Sequence, residues 1–243
     1  LSRRRFFINS EGINGARAIL TGAEHHHLAH VLRLKSGDDV YIFTENDEEY
    51  LAEIKKIDKE KSTIIIKEKI KGKAAEPLLK ITLLQGITRG GRMEMIVQKA
   101  TELGVEVLIP LVTERSVHPK NAEEKQKRWQ RIALEAAKQC GRRRGATIKQ
   151  ALKVEDIDCT QLPQLKLILA EKDGRSFKEV ATDFYISEIA LMVGPEGGWC
   201  DREIKWALNN GFMPVHLGPR ILRAETASIA AISIIQYQFG DIG

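Results

Sequence analysis

MVGPEGG, residues 192–198, and HLGPRILRAETASIAAISIIQYQFGD, residues 216–241, decide how this chain reads. Each closes a short apolar run with glycine and proline, where a strand has to stop. Glycine carries no Cβ, so Gly194, Gly197, Gly198 and Gly218 let backbone pass close to something at these ends. In an open α/β sheet, ligands bind just outside the carboxyl ends of the strands. Two such ends lie one βα unit apart, and Arg223, Glu225 and Thr226 follow at the start of the last helix. Singly, each motif has a plainer reading. GPEGG serves as a strand-to-helix turn with Asp201 as N-cap, and Glu225 and Thr226 suit the positive end of a helix dipole. The repetition of the turn, with Arg220, Arg223, Ser228 and the unpaired N–H groups of a helix start, points instead to a site for polar ligand groups.

Outward from these motifs the chain alternates strands and helices. Strands are expected at 80–87, 105–112, 165–171, 189–194 and 213–218, and helices at 92–103, 123–140, 201–209 and 224–239. Such alternation builds a parallel sheet. Met93, Ile96, Val97, Ala100 and Leu103 share one helix face, which Gly104 stops. In the last helix Ile229, Ile232 and Ile235 are expected to be buried in the core or between subunits. Residues 1–72 read differently. YIFTE at 41–45, YLAEIKKI at 50–57 and STIIIKEKI at 62–70 are short β-rich runs, and one helix is expected at 24–30. Many short strands in few residues suggest a small barrel. The polar stretch KGKAAEP at 71–77 reads as the linker, so residues 1–72 and 78–243 are read as two domains.

Composition narrows the class. The 243 residues are 43% apolar, with no run long enough to span a bilayer and no apolar stretch of signal-peptide length after LSRRRFFINS. A cytoplasmic protein is expected. Three cysteines without paired spacing argue against a disulfide framework or a Cys-x-x-Cys zinc site. No Walker A sequence, Ser-His-Asp set or strand-borne G-x-G-x-x-G occurs. His25, His26, His27 and His30 read as helix and packing residues, and no metal is expected. Lys99 and Glu102, three apart on a helix, read as a solvated ion pair. The net charge of +5 permits an anionic partner. Three consecutive arginines, Arg142, Arg143 and Arg144, exceed what a helix C-terminus calls for. With Arg3, Arg4 and Arg5 they are expected to contact an RNA backbone, since the guanidinium fork suits phosphate.

These segments, taken in order, resemble the RsmE family of ribosomal RNA methyltransferases in the SPOUT superfamily. RRFF at 4–7 and HHLAHVLRLKSGD at 26–38 resemble its N-terminal domain. QGITRGGRMEMIVQKATELGV at 85–105, IPLVTERS at 109–116 and AAKQCGRRR at 136–144 resemble its middle motifs, and GPEGG and LGPRILRAETA its cofactor motifs. The resemblance runs nearly the whole chain. One departure is Gly145-Ala-Thr-Ile148, which lacks a common Val-Pro and loosens the register beside the expected RNA contact.

The resemblance implies an N-terminal PUA-like β-barrel and a C-terminal SPOUT α/β domain with a deep trefoil knot, a feature rare among proteins. It also implies a homodimer, S-adenosylmethionine (AdoMet) as cofactor, and 16S ribosomal RNA or the small ribosomal subunit as partner. The implied reaction is methylation of N3 of one specific uridine. On that basis the cofactor is expected at Leu169, Gly194, Glu196, Gly197, Leu217, Gly218, Pro219, Ile221, Leu222 and Arg223. Arg223 is expected to stabilise the uracil anion, Glu225 to act as base or orienter, and Thr226 to assist. RNA contacts are expected from Arg3, Arg4, Arg5, Arg33, Arg92, Arg142, Arg143 and Arg144. Two other readings are a 2′-O-ribose methyltransferase on ribosomal or transfer RNA and a catalytically silent RNA-binding or ribosome-assembly module. The intact cofactor motifs argue against the silent module, and the N-terminal domain with AAKQCGR favours base methylation.

Overall fold

The computed structural model describes residues 4–46, 48–70, 76–117, 121–170, 174–180 and 185–243. Arg3, Glu171 and residues 71–75 of the expected linker lie outside them. The chain divides into two units. One holds the residues up to Glu76 together with Ala137–Arg144, and the other holds Pro77–Ala136 and Gly145–Gly243. The N-terminal unit is thus discontinuous in sequence, which a single boundary at 71–77 does not convey.

In the N-terminal unit, β1 (Arg5–Phe7), β2 (Ile13–Asn14), β3 (Arg17–Thr21), β4 (Asp39–Phe43), β5 (Glu49–Ile57) and β6 (Lys61–Lys69) form one sheet. Their order is β1-β4-β5-β6-β3-β2, antiparallel except for the β1–β4 pair. Period-two alternation drives it: Ala18 and Leu20 point inward from β3 while Arg17, Ile19 and Thr21 face out. Phe6, Leu20, Leu28, Ile42, Ile54 and Ile64 fill the core. Register shifts between Leu51/Ala52 and Ile54/Lys56 twist the long β5–β6 pair. The helix expected at 24–30 starts earlier, as α1 (Gly22–His26), and continues as a π-helical turn over His27–Val31. Arg33 follows with φ of 52°, an uncommon left-handed conformation for a side chain of its size.

The second unit contains β7 (Lys80–Gly86), α2 (Arg92–Glu102), β8 (Val105–Val112), α3 (Ala122–Cys140) as far as Ala136, and the short β9 (Thr147–Ile148) and β10 (Leu152–Lys153). It continues with β11 (Leu165–Leu169), β12 (Arg175–Ser176), β13 (Glu188–Val193), α4 (Asp201–Asn209), β14 (Phe212–His216) and α5 (Ala224–Phe239). All pairings are parallel, in the order β10-β8-β7-β13-β11-β14-β12, and β9 also pairs with β8. Both faces are covered, as a parallel sheet requires. Ile189, Leu191 and Val193 of β13 point into a core shared with α2 and α5, while Ala190 and Met192 point into one shared with α4. In α2, Met93, Ile96, Val97 and Ala100 are buried as their spacing predicts. Ile232 and Ile235 of α5 are fully buried and Ile229 partly so. The strand expected to reach Gly218 stops at His216. Gly218 takes φ of +95° and donates its N–H to His216 Nδ1 at 3.0 Å.

Candidate active site

Parallel pairing brings the carboxyl ends of β7, β13, β11 and β14 to one edge, in that spatial order. Gly86, Gly194, Leu169 and Leu217 therefore converge there, although up to 131 residues separate them in sequence. The loop after β13 folds back across this edge. A Cβ on Gly86 would stand 2.5 Å from Pro195, and one on Gly194 would meet the Trp199 ring at 3.3 Å. The Trp199 indole N–H donates to the Leu169 carbonyl at 3.0 Å. Gly197 packs against Arg115, whose guanidinium donates to the Gly197 carbonyl at 3.0 Å. At these three glycines the close neighbour is the protein's own chain. Gly218 differs: its Cβ position is open, with nothing within 4 Å. The turn is capped by Cys200 rather than Asp201, and Glu203 accepts the Cys200 N–H at 3.0 Å.

A charged network joins the two glycine-proline motifs. Glu196 Oε1 accepts the Arg89 N–H at 2.9 Å and Arg92 Nη1 at 2.7 Å. Arg92 Nε lies 3.7 Å from Glu225 Oε1. Burial pushes the Glu196 carboxyl up, but its own backbone N–H, that of Arg89 and the Arg92 guanidinium outweigh it, so the group titrates below its usual range. The other oxygen of Glu225, Oε2, is buried and has no hydrogen-bond partner among the described residues. Arg92, expected at an RNA phosphate, is half-exposed and lies between two carboxylates. The reason is long-range: Glu196 and Glu225 come to it from the far motifs.

Beneath this network Gln85 is fully buried. Its Nε2 donates to the Gly86 carbonyl at 3.1 Å and approaches that of Gly194 at 3.4 Å. The Ser228 hydroxyl sits 2.6 Å from Gln85 Oε1, which ties α5 to the ends of β7 and β13. Gln85 and Arg89 are not among the residues the sequence motifs mark for the site. A glutamine closing the apolar strand KITLLQG was the available signal.

Between β14 and α5, Gly218, Pro219, Ile221 and Arg223 are exposed and Leu217 and Leu222 half-buried. Ile221 is 84% exposed, an unusual position for a large apolar side chain. Arg223 is the α5 N-cap in extended conformation and offers no side-chain cap. Of the expected catalytic set, Glu225 turns toward Arg92, whereas Arg223 and Thr226 face solvent.

The arginines expected at RNA separate into two groups. Arg4 is half-exposed, 3.6 Å from Asp38, and Arg33 is exposed. Arg144 is exposed and Arg143 half-buried. Arg5 and Arg142 are corrections. Arg5 is 5% exposed and donates to Glu49 at 2.9 Å and to the carbonyls of Ala137 and Arg142 at 3.2 and 2.8 Å. It therefore satisfies the open carbonyls at the end of α3, where a cation is favoured. Arg142 is 3% exposed and makes two bonds to Glu76, at 3.1 and 3.0 Å. Guanidinium groups buried on carboxylates do not reach a phosphate. Lys138 likewise pairs with Glu24.

His25 is buried with Nδ1 2.8 Å from Ser62 Oγ, and the rings of His26 and His30 lie 4.9 Å apart. Lys99 and Glu102 form an ion pair on α2 at 2.8 Å.

Comparison with known proteins agrees with this architecture. Residues 74–236 match the RNA methyltransferase domain family, and residues 20–67 match the RNA methyltransferase PUA domain family. The ribosomal RNA small subunit methyltransferase E of Buchnera aphidicola from Acyrthosiphon pisum is 35% identical over 91% of this chain and 88% of its own. That of Bacillus subtilis is 30% identical over 90% and 89%. Among solved structures, a Legionella pneumophila methyltransferase in complex with AdoMet superposes with a TM-score of 0.92, at 32% identity and with both chains fully covered. The Neisseria gonorrhoeae ribosomal RNA small subunit methyltransferase E bound to AdoMet gives 0.89, at 30% identity over 99% of this chain and all of its own. With its PUA-like N-terminal sheet and parallel α/β domain, the chain belongs to the ribosomal RNA small subunit methyltransferase E family.

Proposed function

We propose that this methyltransferase uses AdoMet to methylate N3 of one specific uridine in 16S ribosomal RNA. The observation that carries the reading is the convergence of Leu169, Gly194 and Leu217 at adjacent strand ends beside the start of α5. The site also fits the cofactor. Gly218 leaves open space above the edge, and Glu225 Oε2 is a buried polar atom without a partner among the described residues.

Bound AdoMet supplies a methyl group already activated on a sulfonium, so the chain's task is alignment and proton management. Backbone at Leu169, Gly194, Gly197 and Leu217 to Leu222 would hold the adenosine and methionine parts. Glu196, fixed by Arg89 and Arg92, holds the loop. Uracil N3 becomes nucleophilic as its proton leaves and negative charge spreads to O2 and O4. Arg223, exposed at the helix N-cap, offsets that charge with the open N–H groups of α5. Glu225 Oε2 receives the proton, Arg92 orients the other oxygen, and Thr226 assists from the same turn. The target base leaves its stack to enter the site. Exposed Arg4, Arg33 and Arg144 contact phosphates.

The reading includes the knotted threading of the cofactor loops, a homodimer and work in the cytoplasm on the small ribosomal subunit. Among the described residues no helix is long and apolar enough to cross a membrane. The α5 helix is apolar on most sides, and Tyr237 stands 74% exposed, which suits a subunit contact.

Methyl transfer from labelled AdoMet to small subunits lacking N3-methyluridine, with the product nucleoside identified by mass spectrometry, tests the reaction. N3-methyluridine at one position is the expected product. A 2′-O-methyl nucleoside would keep the cofactor site and overturn the chemistry. No AdoMet binding at all would leave an RNA-binding module.

A further inference from the structure

Directly after β7 lies a hollow of about 470 Å³ that the mechanism does not use. It is bounded by the loop after Gly86, the start of α2 and the first turns of α3, all within the C-terminal unit. Ile87, Met93 and Trp129 give it an apolar wall, and Arg89 and Lys125 contribute two cations. Neither cation's side chain has a carboxylate partner among the described residues. The hollow's one carboxylate, Glu94, is taken by Arg128 at 2.9 Å. Thr88, 5% exposed, also lines it, and its hydroxyl has no hydrogen-bond partner among the described residues.

Each feature narrows the ligand. The volume falls within the roughly 300–1,000 Å³ that small-molecule sites occupy, enough for one nucleotide. An apolar wall receives a base of any identity, and unpaired Arg and Lys receive its phosphate. None of the residues expected at the cofactor, from Leu169 and Gly194 to Leu217 and Arg223, lines the hollow. Nor is it built for the base that reacts, because it offers no free carboxylate to accept the N3 proton.

We propose that this hollow binds a nucleotide flanking the methylated uridine, gripping its phosphate through Lys125 and Arg89. The proposal rests on the RNA-methylation reading and adds a second point of attachment for the strand. It also couples substrate to cofactor loop. The Arg89 backbone N–H holds Glu196 at 2.9 Å, so a phosphate on the Arg89 side chain braces the residue that fixes that loop.

The test uses cytidine 5′-monophosphate, which is neither the target base nor the cofactor's adenine. The full chain is titrated at saturating AdoMet and followed by nuclear magnetic resonance of the Trp129 indole N–H, assigned with Trp129→Phe. The nucleotide is expected to shift that resonance without displacing AdoMet. Lys125→Glu should weaken its binding about tenfold, the worth of one charge-assisted bond, and leave AdoMet affinity unchanged. The same variant should reduce the slope of log K for 16S RNA against log salt by about one. Thr88→Val, a near-isosteric change, should weaken the nucleotide to a smaller degree. Displacement of cytidine monophosphate by AdoMet would overturn the proposal, as would an unaltered titration and salt slope in Lys125→Glu. A wild-type chain that binds the nucleotide through Lys125 yet produces no methyluridine would support the hollow and defeat the reaction proposed above.

Discussion

At the scale of single residues, the same side-chain type does opposite work depending on what the fold brings to it. Arg5 and Arg4 are neighbours in sequence, yet Arg5 is sealed against Glu49 and the end of α3 while Arg4 stays half-exposed. Removing Arg5 leaves a buried carboxylate and bare carbonyls. Arg5→Ala should therefore cost about 3–5 kcal/mol of stability, read from the urea midpoint, and Arg5→Lys should recover little, since an ammonium lacks the fork. An unmoved midpoint would contradict the buried pairing. Glu196 makes a pH prediction. Its folded carboxyl titrates below the ordinary value of 4.5, so its bonds to Arg89 and Arg92 persist through the usual carboxylate range. They are lost only as pH falls through the depressed value. AdoMet affinity measured by calorimetry should stay level through the ordinary carboxylate range and drop only as pH falls through the depressed value, whereas Glu196→Gln should lack that acid limb.

At the scale of elements, the site depends on how closely the loop after β13 crosses the end of β7. Gly86 is where that crossing is tightest, with no room for a Cβ beside Pro195. Gly86→Ala should displace the loop, cost about 1–3 kcal/mol, and weaken AdoMet binding while β1 to β6 keep their hydrogen-exchange protection. Protection lost across that sheet as well would show that the effect is not local. The α3 helix carries its own stop. Gly141 adopts φ of +91° and donates its N–H to the Ala137 carbonyl at 3.1 Å. A Cβ there meets no neighbour, so Gly141→Ala should cost only the left-handed strain, about 1–2 kcal/mol, in thermal unfolding. These element ends were legible beforehand because glycine and helical periodicity are local signals. The short strands β1, β2 and β3 were not, since two to five residues carry too little pattern, and Ala18 and Leu20 gain meaning only once β6 pairs with β3.

At the scale of the whole molecule, the net charge of +5 is less informative than which cations are exposed. Arg5 and Arg142 are buried on Glu49 and Glu76, while Arg92 stays half-exposed between Glu196 and Glu225. Arg4, Arg33 and Arg144 are exposed. Replacing these three together with alanine should lower the salt slope of 16S RNA binding by about two to three. Arg142→Ala alone should do the reverse, lowering the unfolding midpoint through the stranded Glu76. A salt slope that follows Arg142 instead would place that residue at the interface.

By itself the sequence determined the alternation of strands and helices in the C-terminal part, the two glycine-proline turns at strand ends, and membership in an RNA methyltransferase family. Each is written in short stretches, where backbone preference and side-chain periodicity act over a few residues. The tertiary structure alone decided that Arg5 and Arg142 are internal, that Arg92 bridges Glu196 and Glu225, and that Gln85 and Ser228 pin α5 to the sheet. It also decided that the tail of α3 belongs with the N-terminal unit. Those facts depend on partners 44 to 143 residues away. Whether a charge is solvated or buried is a property of what packs around it, and no local motif encodes that.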